Sequence, residues 1–331
     1  MDRLAFFKHG LSSVVDAASS LVGLKKAVES FTDVVDEALS EVSAGIGLST
    51  SSFDSAIYEG ADFAFSQFAV MGYTALECGR YTTGRVHDIE CGEFYKLASK
   101  HGLRVVGGHL NRAYEPTPKP ESEDGVGPVA DKIADERGEV ASGETVNATE
   151  SPSDIWWKRA LDAHKAMRCK YVVMSEFQQD IAEEDIVSWA EYFNHVGSLA
   201  LERELKFCFH PNDGMLKTQV QGGEKSLFDI LVEKCDPEKV WFAIDTYECA
   251  KAEVDTCTLL NALGQRVYLL HLHDYGIACE SGNIDFEAIA TVAGKQKIEN
   301  MIVEVHTFSL PPMNCAEKSL FNLETIPSIR Y

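Results

Sequence analysis

Four short apolar runs in the second half of the chain each end in a residue type that binds metal ions. They read FCFH, FAID, YLLH and MIVE, and they end at His210, Asp245, His271 and Glu304. The gaps between these polar ends are 35, 26 and 33 residues, each close to one strand and one helix. The spacing therefore predicts that the four side chains meet on one rim of a parallel sheet, where they would hold a divalent ion.

The rest of the chain repeats the same alternation of short β-like runs with helical segments. We predict eight strands, at residues 44–49, 73–77, 103–109, 170–175, 205–210, 239–245, 267–273 and 299–305. Eight strands that alternate with helices indicate an α/β fold, the closed parallel (β/α)8 TIM barrel. The alternative is a doubly wound open sheet, which usually has about five or six strands and a Gly-rich phosphate turn. No GxGxxG follows the first strand here.

Two segments depart from this alternation. Residues 1–42 have apolar positions at helical spacing and are predicted to form an N-terminal helical extension packed on the barrel, which occupies residues 43–331. Residues 115–153 contain ten acidic and three basic residues and almost no large apolar residue. They are predicted to form a flexible acidic insertion after the third strand, either a solvated loop or a lid.

Charge and cysteine content limit the classes of partner. The formal net charge of -22 argues against nucleic acid, because phosphate contacts need clustered Lys and Arg. Nine cysteines without a CxxC pair indicate a reducing compartment. The sequence shows neither a secretory signal nor the roughly 20 apolar residues of a membrane helix. We therefore predict a cytoplasmic protein that binds a small molecule and neither nucleic acid nor a membrane.

Three earlier strands also end in usable polar groups, which are Glu77, His109 and Glu176. Seven such ends out of eight are hard to attribute to chance, and the C-terminal strand ends of a barrel are where its chemistry lies. His271 and His273 alternate with Leu272, so both point to the same side of their strand. One is expected to bind metal, and the other to contact a ligand residue or the substrate.

Motifs along nearly 290 residues carry a family resemblance. They are ALE at 75–77, GGHL at 107–110, YFNHVG at 192–197, FHPN at 209–212, IDTY at 244–247, LHLHDY at 270–275, SGNIDF at 281–286 and VE at 303–304. In order and spacing they resemble the sugar phosphate isomerase/epimerase family of xylose isomerase-like TIM barrels. The motif at 192–197 is similar to a helix in one branch that acts on keto-sugars.

This resemblance implies an enzyme and its cofactor. One divalent ion, such as Mn²⁺, Zn²⁺, Co²⁺ or Mg²⁺, would be held by four side chains, namely His210, Asp245, His271 and Glu304. Imidazole and carboxylate together suit transition metals better than Ca²⁺. The implied activity is that of a metal-dependent isomerase or epimerase of a keto-sugar, sugar acid or cyclitol, which works through a metal-stabilised enediolate. Barrels of this type commonly form homodimers.

The resemblance also implies catalytic roles. Glu304 is expected to act as the base through its free carboxylate oxygen. Many epimerases of the family use a second Glu at the position of His210, so that role would pass to Glu176, His109 or Glu248. Substrate contacts are expected from Glu77, His109, His273 and Asn212.

Three other functions remain as alternatives. The departure at His210 leaves open a lyase or dehydratase that acts on an oxidised sugar, and also a non-catalytic barrel that has kept its metal residues. The third alternative is DNA repair, because abasic-site endonucleases share this barrel. Those enzymes need a three-metal cluster and a basic groove, and the acidic balance of this chain and its lack of a Lys/Arg stripe argue against such a groove.

Overall fold

The fold is a closed barrel of parallel strands. The computed structural model describes residues 45–110, 112, 151–175, 183–220, 223–298 and 300–329. Within these ranges the eight barrel strands lie side by side in chain order, and the first pairs with the eighth at Gly47 and Ile302. The strands are Gly47–Ser49, Ala75–Cys78, Arg104–Leu110, Tyr171–Met174, Lys206–Phe209, Val240–Asp245, Val267–His273 and Asn300–Glu304. The predicted (β/α)8 TIM barrel is confirmed.

Helices follow every barrel strand and cover the outside of the sheet. They are Asp54–Met71, Cys91–Lys100, Pro152–Ala166, Glu183–Leu201, Asp213–Lys217, Leu227–Lys234, Thr246–Lys251, Thr256–Leu263, Phe286–Gln296 and Pro312–Glu324, with short 3-10 turns at Thr50–Phe53, Gly264–Arg266 and Pro327–Ile329. The last helix can begin at Pro312 because the N–H groups of a first helical turn are unpaired in any case, so the missing N–H of proline removes no hydrogen bond there.

The pleat of each strand separates two apolar layers. Leu270 and Leu272 pack in the layer between the strands and the helices, whereas Leu269 belongs to the barrel interior. The interior cluster consists of Ala75, Val106, Tyr171, Val173, Cys208, Ala243, Leu269 and Ile302. Since side chains alternate along a strand, His271 and His273 share the side of Leu269 and face the inside of the barrel.

Two adjacent glycines in the third strand allow close packing on both of its faces. A Cβ atom on Gly107 would lie 2.2 Å from the Tyr171 ring, and one on Gly108 would lie 2.0 Å from Nε2 of His164. Both neighbours are fully buried. The Gly107-Gly108 pair therefore leaves room for an aromatic ring on one side of the sheet and an imidazole on the other.

A small antiparallel sheet follows the second barrel strand, at Tyr81–Thr82, Arg85–Val86 and Ile89–Glu90. Its loop buries His87, whose Nε2 lies 2.8 Å from Oγ1 of Thr50 and whose Nδ1 lies 3.2 Å from Oδ1 of Asp54. These contacts attach the small sheet to the segment that follows the first barrel strand.

The predicted N-terminal extension, residues 1–42, lies outside the described residues, as does most of the predicted insertion at 115–153. The last residues of that insertion are described, and they begin the helix Pro152–Ala166, which Ser151 caps by accepting a hydrogen bond from the Asp154 N–H. None of the helices in the described ranges has both the length and the apolar composition needed to cross a bilayer.

Candidate metal centre

The four predicted metal ligands meet at the C-terminal rim of the barrel. His210 follows the fifth strand, Asp245 ends the sixth, His271 lies within the seventh and Glu304 ends the eighth. One ligand atom from each lies within 4.8 Å of the others, and all four side chains are buried. The structure therefore brings together the set that the strand spacing predicts.

The two carboxylate oxygens of Asp245 have different partners: one contacts backbone N–H groups and the other contacts two imidazoles. Oδ1 accepts hydrogen bonds from the N–H groups of Tyr247 and Glu248, at 2.7 and 2.9 Å, and so caps the helix Thr246–Lys251. Oδ2 lies 3.0 Å from Nδ1 of His273 and 3.6 Å from Nε2 of His210. Burial alone would raise the pKa of Asp245, but the two imidazoles hold it well below its ordinary value.

His271 lies between two carboxylates. Its Nε2 is 3.0 Å from Oε1 of Glu77, and its Nδ1 is 3.3 Å from Oε2 of Glu304. Burial alone would lower the pKa of His271, but the charges of Glu77 and Glu304 raise it to about 10. Both Glu77 and His271 are 0% exposed. Glu77, which was predicted to contact the substrate, thus contacts a predicted metal ligand, His271.

The two carboxylate oxygens of Glu304 also have different partners. Oε2 faces His271, whereas Oε1 lies 3.1 Å from Nε2 of His306, whose side chain is 57% exposed. Burial alone would raise the pKa of Glu304, but His271 and His306 hold it well below its ordinary value. The sequence analysis missed His306. Its position two residues after Glu304 was the available signal, since an extended chain returns to the same side every second residue.

His109 lies beside the cluster without joining it. Its ring centroid is 5.9 Å from that of His210 and 5.8 Å from that of His271. The Nε2 atom is sealed from solvent and has no hydrogen-bond partner among the described residues. Burial lowers the pKa of His109 to about 4, against the opposing effect of Glu77 and Glu304. His109 therefore presents a neutral imidazole with an unused nitrogen next to the ligand residues.

Two other predicted site residues are engaged in local structure. Oε2 of Glu248 accepts a hydrogen bond from the Asp213 N–H at 2.7 Å, and its carboxylate also pairs with Lys251. The side chain of Asn212 caps the helix Asp213–Lys217 by accepting a hydrogen bond from the Met215 N–H at 3.0 Å. Glu176, the remaining predicted acid or base, lies outside the described residues.

Aromatic rings surround the exposed side of the cluster. The His273 ring is 4.6 Å from the Tyr247 ring and 4.7 Å from the His306 ring, and Tyr247 also contacts Tyr275 at 4.8 Å. Tyr275 and His306 are exposed. His273 therefore lies between the buried carboxylate of Asp245 and an aromatic rim that solvent reaches.

The residues present fit a divalent ion. Nδ1 of His271 is buried and has no hydrogen-bond partner in the described part of the chain, although it points towards Glu304. Two imidazoles and two carboxylates with ligand atoms within 4.8 Å form a mixed nitrogen and oxygen donor set. Such a set suits Mn²⁺, Zn²⁺ or Co²⁺. The side chains that would hold the ion are His210, Asp245, His271 and Glu304.

Comparisons with known proteins agree with this architecture. The sequence model of the xylose isomerase-like TIM barrel matches residues 65–322. A sugar phosphate isomerase/epimerase from Parabacteroides distasonis has a similar structure, with a TM-score of 0.70 and 20% identity over 87% of this chain and 96% of that one. No curated protein matches the sequence.

Two more distant structures are also similar. D-psicose 3-epimerase from Clostridium cellulolyticum, solved with D-tagatose, gives a TM-score of 0.59 at 13% identity, over 85% of this chain and 99% of that one. The probable 3-DHS dehydratase AsbF from Bacillus anthracis gives 0.57 at 9% identity, over 85% and 98%. At these identities the likeness concerns the fold.

Proposed function

Because the chain belongs to the family of xylose isomerase-like TIM barrels, we propose that it is a divalent-metal-dependent isomerase or epimerase of a small carbohydrate. The substrate class is a keto-sugar, a sugar acid or a cyclitol. The observation that carries this proposal is the buried cluster of His210, Asp245, His271 and Glu304 at the catalytic rim of the barrel. Similar structures that are epimerases of D-psicose and L-ribulose support the substrate class.

The divalent ion, when bound, supplies a Lewis acid that polarises a carbonyl and its neighbouring hydroxyl. Glu304 is the proposed base, because its Oε1 faces the exposed side of the site while its Oε2 faces the ligand cluster. Removal of the proton from the carbon next to a carbonyl leaves an enediolate. The low pKa of Glu304 keeps this carboxylate ionised, which is the form that accepts a proton.

A second group must return the proton or protonate an oxygen, and His109 suits this role best. Its unpaired Nε2 lies beside His210 and His271. Glu248, by contrast, is held by the Asp213 amide and Lys251. A neutral imidazole can donate a hydrogen bond to a developing oxyanion, which is one recognised form of electrostatic catalysis.

A dehydratase is the second candidate. One carboxylate and one imidazole on either side of a substrate form an asymmetric pair, which suits an elimination as well as an isomerisation. Proton abstraction by Glu304 followed by departure of a hydroxyl group would then release water. The similarity to the probable dehydratase AsbF supports keeping this reaction in the test.

The decisive experiment incubates the Mn²⁺-loaded protein with separate ketoses, sugar acids, inososes and oxidised sugars in D₂O, followed by proton NMR. An isomerase or epimerase replaces a carbon-bound proton with deuterium and yields an isomer of the substrate, whereas a dehydratase yields a product that has lost one water. Glu304→Gln should abolish exchange without unfolding the barrel. If no compound reacts although the protein binds Mn²⁺, the catalytic proposal fails and the non-catalytic barrel is favoured.

The cytoplasmic location and the homodimer remain predictions, which fractionation and light scattering would test.

A further inference from the structure

We propose that Glu77 is a positioning residue that fixes the ring orientation and tautomer of His271, so that Nδ1 is the nitrogen available to a metal ion. This inference rests on the metal centre of the proposed function. The sequence predicted that Glu77 contacts the substrate, whereas the proposal assigns Glu77 a contact with His271.

The contact crosses the barrel. Glu77 belongs to the second strand and His271 to the seventh, yet Oε1 of Glu77 lies 3.0 Å from Nε2 of His271. Neither side chain is exposed to solvent. Glu77 therefore lies on the far side of the His271 ring from Glu304, which approaches Nδ1.

Hydrogen-bond chemistry fixes the direction of this contact. An ionised carboxylate only accepts hydrogen bonds, so Nε2 of His271 must carry the proton that is shared with Glu77. A histidine binds a metal ion as a neutral imidazole, in which one nitrogen keeps its proton and the other offers a lone pair. With the proton held at Nε2, the lone pair belongs to Nδ1, which is the atom that faces Glu304 and makes no hydrogen bond of its own.

Burial makes this arrangement hard to reverse. If the His271 ring turned over, Nε2 would no longer face Glu77. The buried carboxylate would then lack its hydrogen-bond donor, which would lower the stability of the folded protein. The contact with Glu77 thus leaves His271 with a hydrogen-bond donor, Nε2–H, facing the second strand and a lone pair, on Nδ1, facing the cluster. Partners of this kind around metal-binding histidines commonly contribute 10- to 100-fold in metal affinity or activity.

The neighbouring strands leave Glu77 in the interior. It is in register with Ser49 of the first strand and Gly107 of the third. Gly107 has no side chain, and Ser49 is small and buried. Neither adjacent strand therefore places a large side chain directly beside Glu77, although the Tyr171 ring lies over Gly107, and Glu77 extends across the barrel to His271.

The test uses the full-length protein and Zn²⁺ alone, so it needs no substrate. Isothermal titration should give a Zn²⁺ affinity for Glu77→Leu that is about 10- to 100-fold weaker than that of the unmodified protein. Glu77→Gln keeps the shape and one acceptor oxygen, and it should lose less. The matched control is His164→Leu, which removes another buried side chain with a cross-element contact, to Cys78, and should leave Zn²⁺ affinity unchanged.

A spectroscopic readout separates positioning from general destabilisation. Nitrogen-15 NMR of the Zn²⁺-loaded protein should show His271 bound through Nδ1 and protonated at Nε2, and the loaded Glu77→Gln protein should show a mixture of both forms. Coordination through Nε2 in the unmodified protein would overturn the inference, as would unchanged affinity and an unchanged spectrum in Glu77→Gln. If the unmodified protein binds no Zn²⁺ or Mn²⁺, the metal centre itself fails. Normal binding with no effect of Glu77 overturns only the positioning role.

Discussion

His306 and Glu304 meet on the exposed side of the site, where Nε2 of the imidazole lies 3.1 Å from Oε1 of the carboxylate. The other oxygen of Glu304 faces His271. The proposed base is therefore not held by the ligand cluster alone. A solvent-exposed residue that belongs to none of the predicted sets holds the oxygen that would take the proton.

Replacement of His306 by Asn should lower turnover about tenfold, because the outer oxygen of Glu304 would lose its orienting partner. The affinity for Mn²⁺ should change much less, since Oε2 still faces the cluster. Steady-state kinetics and isothermal titration on the same preparations would measure both quantities. Full turnover in the variant would mean that His306 has no part in holding the base.

His109 and Glu248 can be separated by equivalent amide substitutions. His109→Gln should reduce turnover by roughly 10²- to 10⁴-fold, the usual contribution of one general acid or base. Glu248→Gln should stay within a few fold of the unmodified enzyme, because Glu248 holds the Asp213 amide and Lys251. Circular dichroism would verify that both variants fold. The reverse order of effects would assign the second proton-transfer role to Glu248.

Acid should weaken the protein partly through His87. Burial lowers the pKa of His87 in the folded protein to about 4 from its ordinary value of 6.5, although Asp54 opposes this shift. Between these values the unfolded chain binds the proton and the folded chain does not, so stability falls as the pH drops from about 6.5 to 4. The full effect is roughly 3 kcal/mol in the free energy of unfolding.

Urea unfolding at several pH values would measure this effect. His87→Asn should flatten the loss of stability between about pH 6.5 and 4, since Asn does not titrate. His195→Gln is the control, because the His195 side chain is half-exposed on a helix, where its Nε2 lies 2.8 Å from Oδ1 of Asp154. An equally steep acid slope in His87→Asn would contradict the prediction.

Gly107→Ala should destabilise the barrel by about 1–3 kcal/mol, the usual cost of overpacking. The added methyl group would lie 2.2 Å from the buried Tyr171 ring, which must then move against the interior cluster. Gly294→Ala is the matched control. A Cβ there meets nothing within 4 Å, so the same change in a helix should stabilise slightly. Urea midpoints of the two variants should therefore shift in opposite directions.

The barrel was predictable because eight short apolar runs alternate with helical segments, and seven of these runs end in a usable polar group. The position of a residue in its strand also predicted that His210, Asp245, His271 and Glu304 would converge, since parallel strands end on one rim. The small sheet after the second strand was not predicted, because two-residue strands such as Tyr81–Thr82 carry no periodic pattern.

The partners of the site residues were beyond the reach of the sequence. The contact between Glu77 and His271 joins residues 194 positions apart, and its length depends on how the closed barrel places two facing strands. Likewise, nothing local shows that Glu248 turns towards the Asp213 amide. Periodicity indicates which side of a strand a residue occupies, but packing decides which atom it meets.

The pairing of the eighth strand with the first has a consequence for the order in which the protein matures. The strand that closes the sheet, Asn300–Glu304, also carries the last ligand residue of the cluster. A nascent chain that has not yet reached residue 304 can therefore have neither a finished barrel nor a full set of the four predicted ligands. Ion uptake by the complete site should follow closure of the ring, and it would serve as a natural reporter that folding has finished.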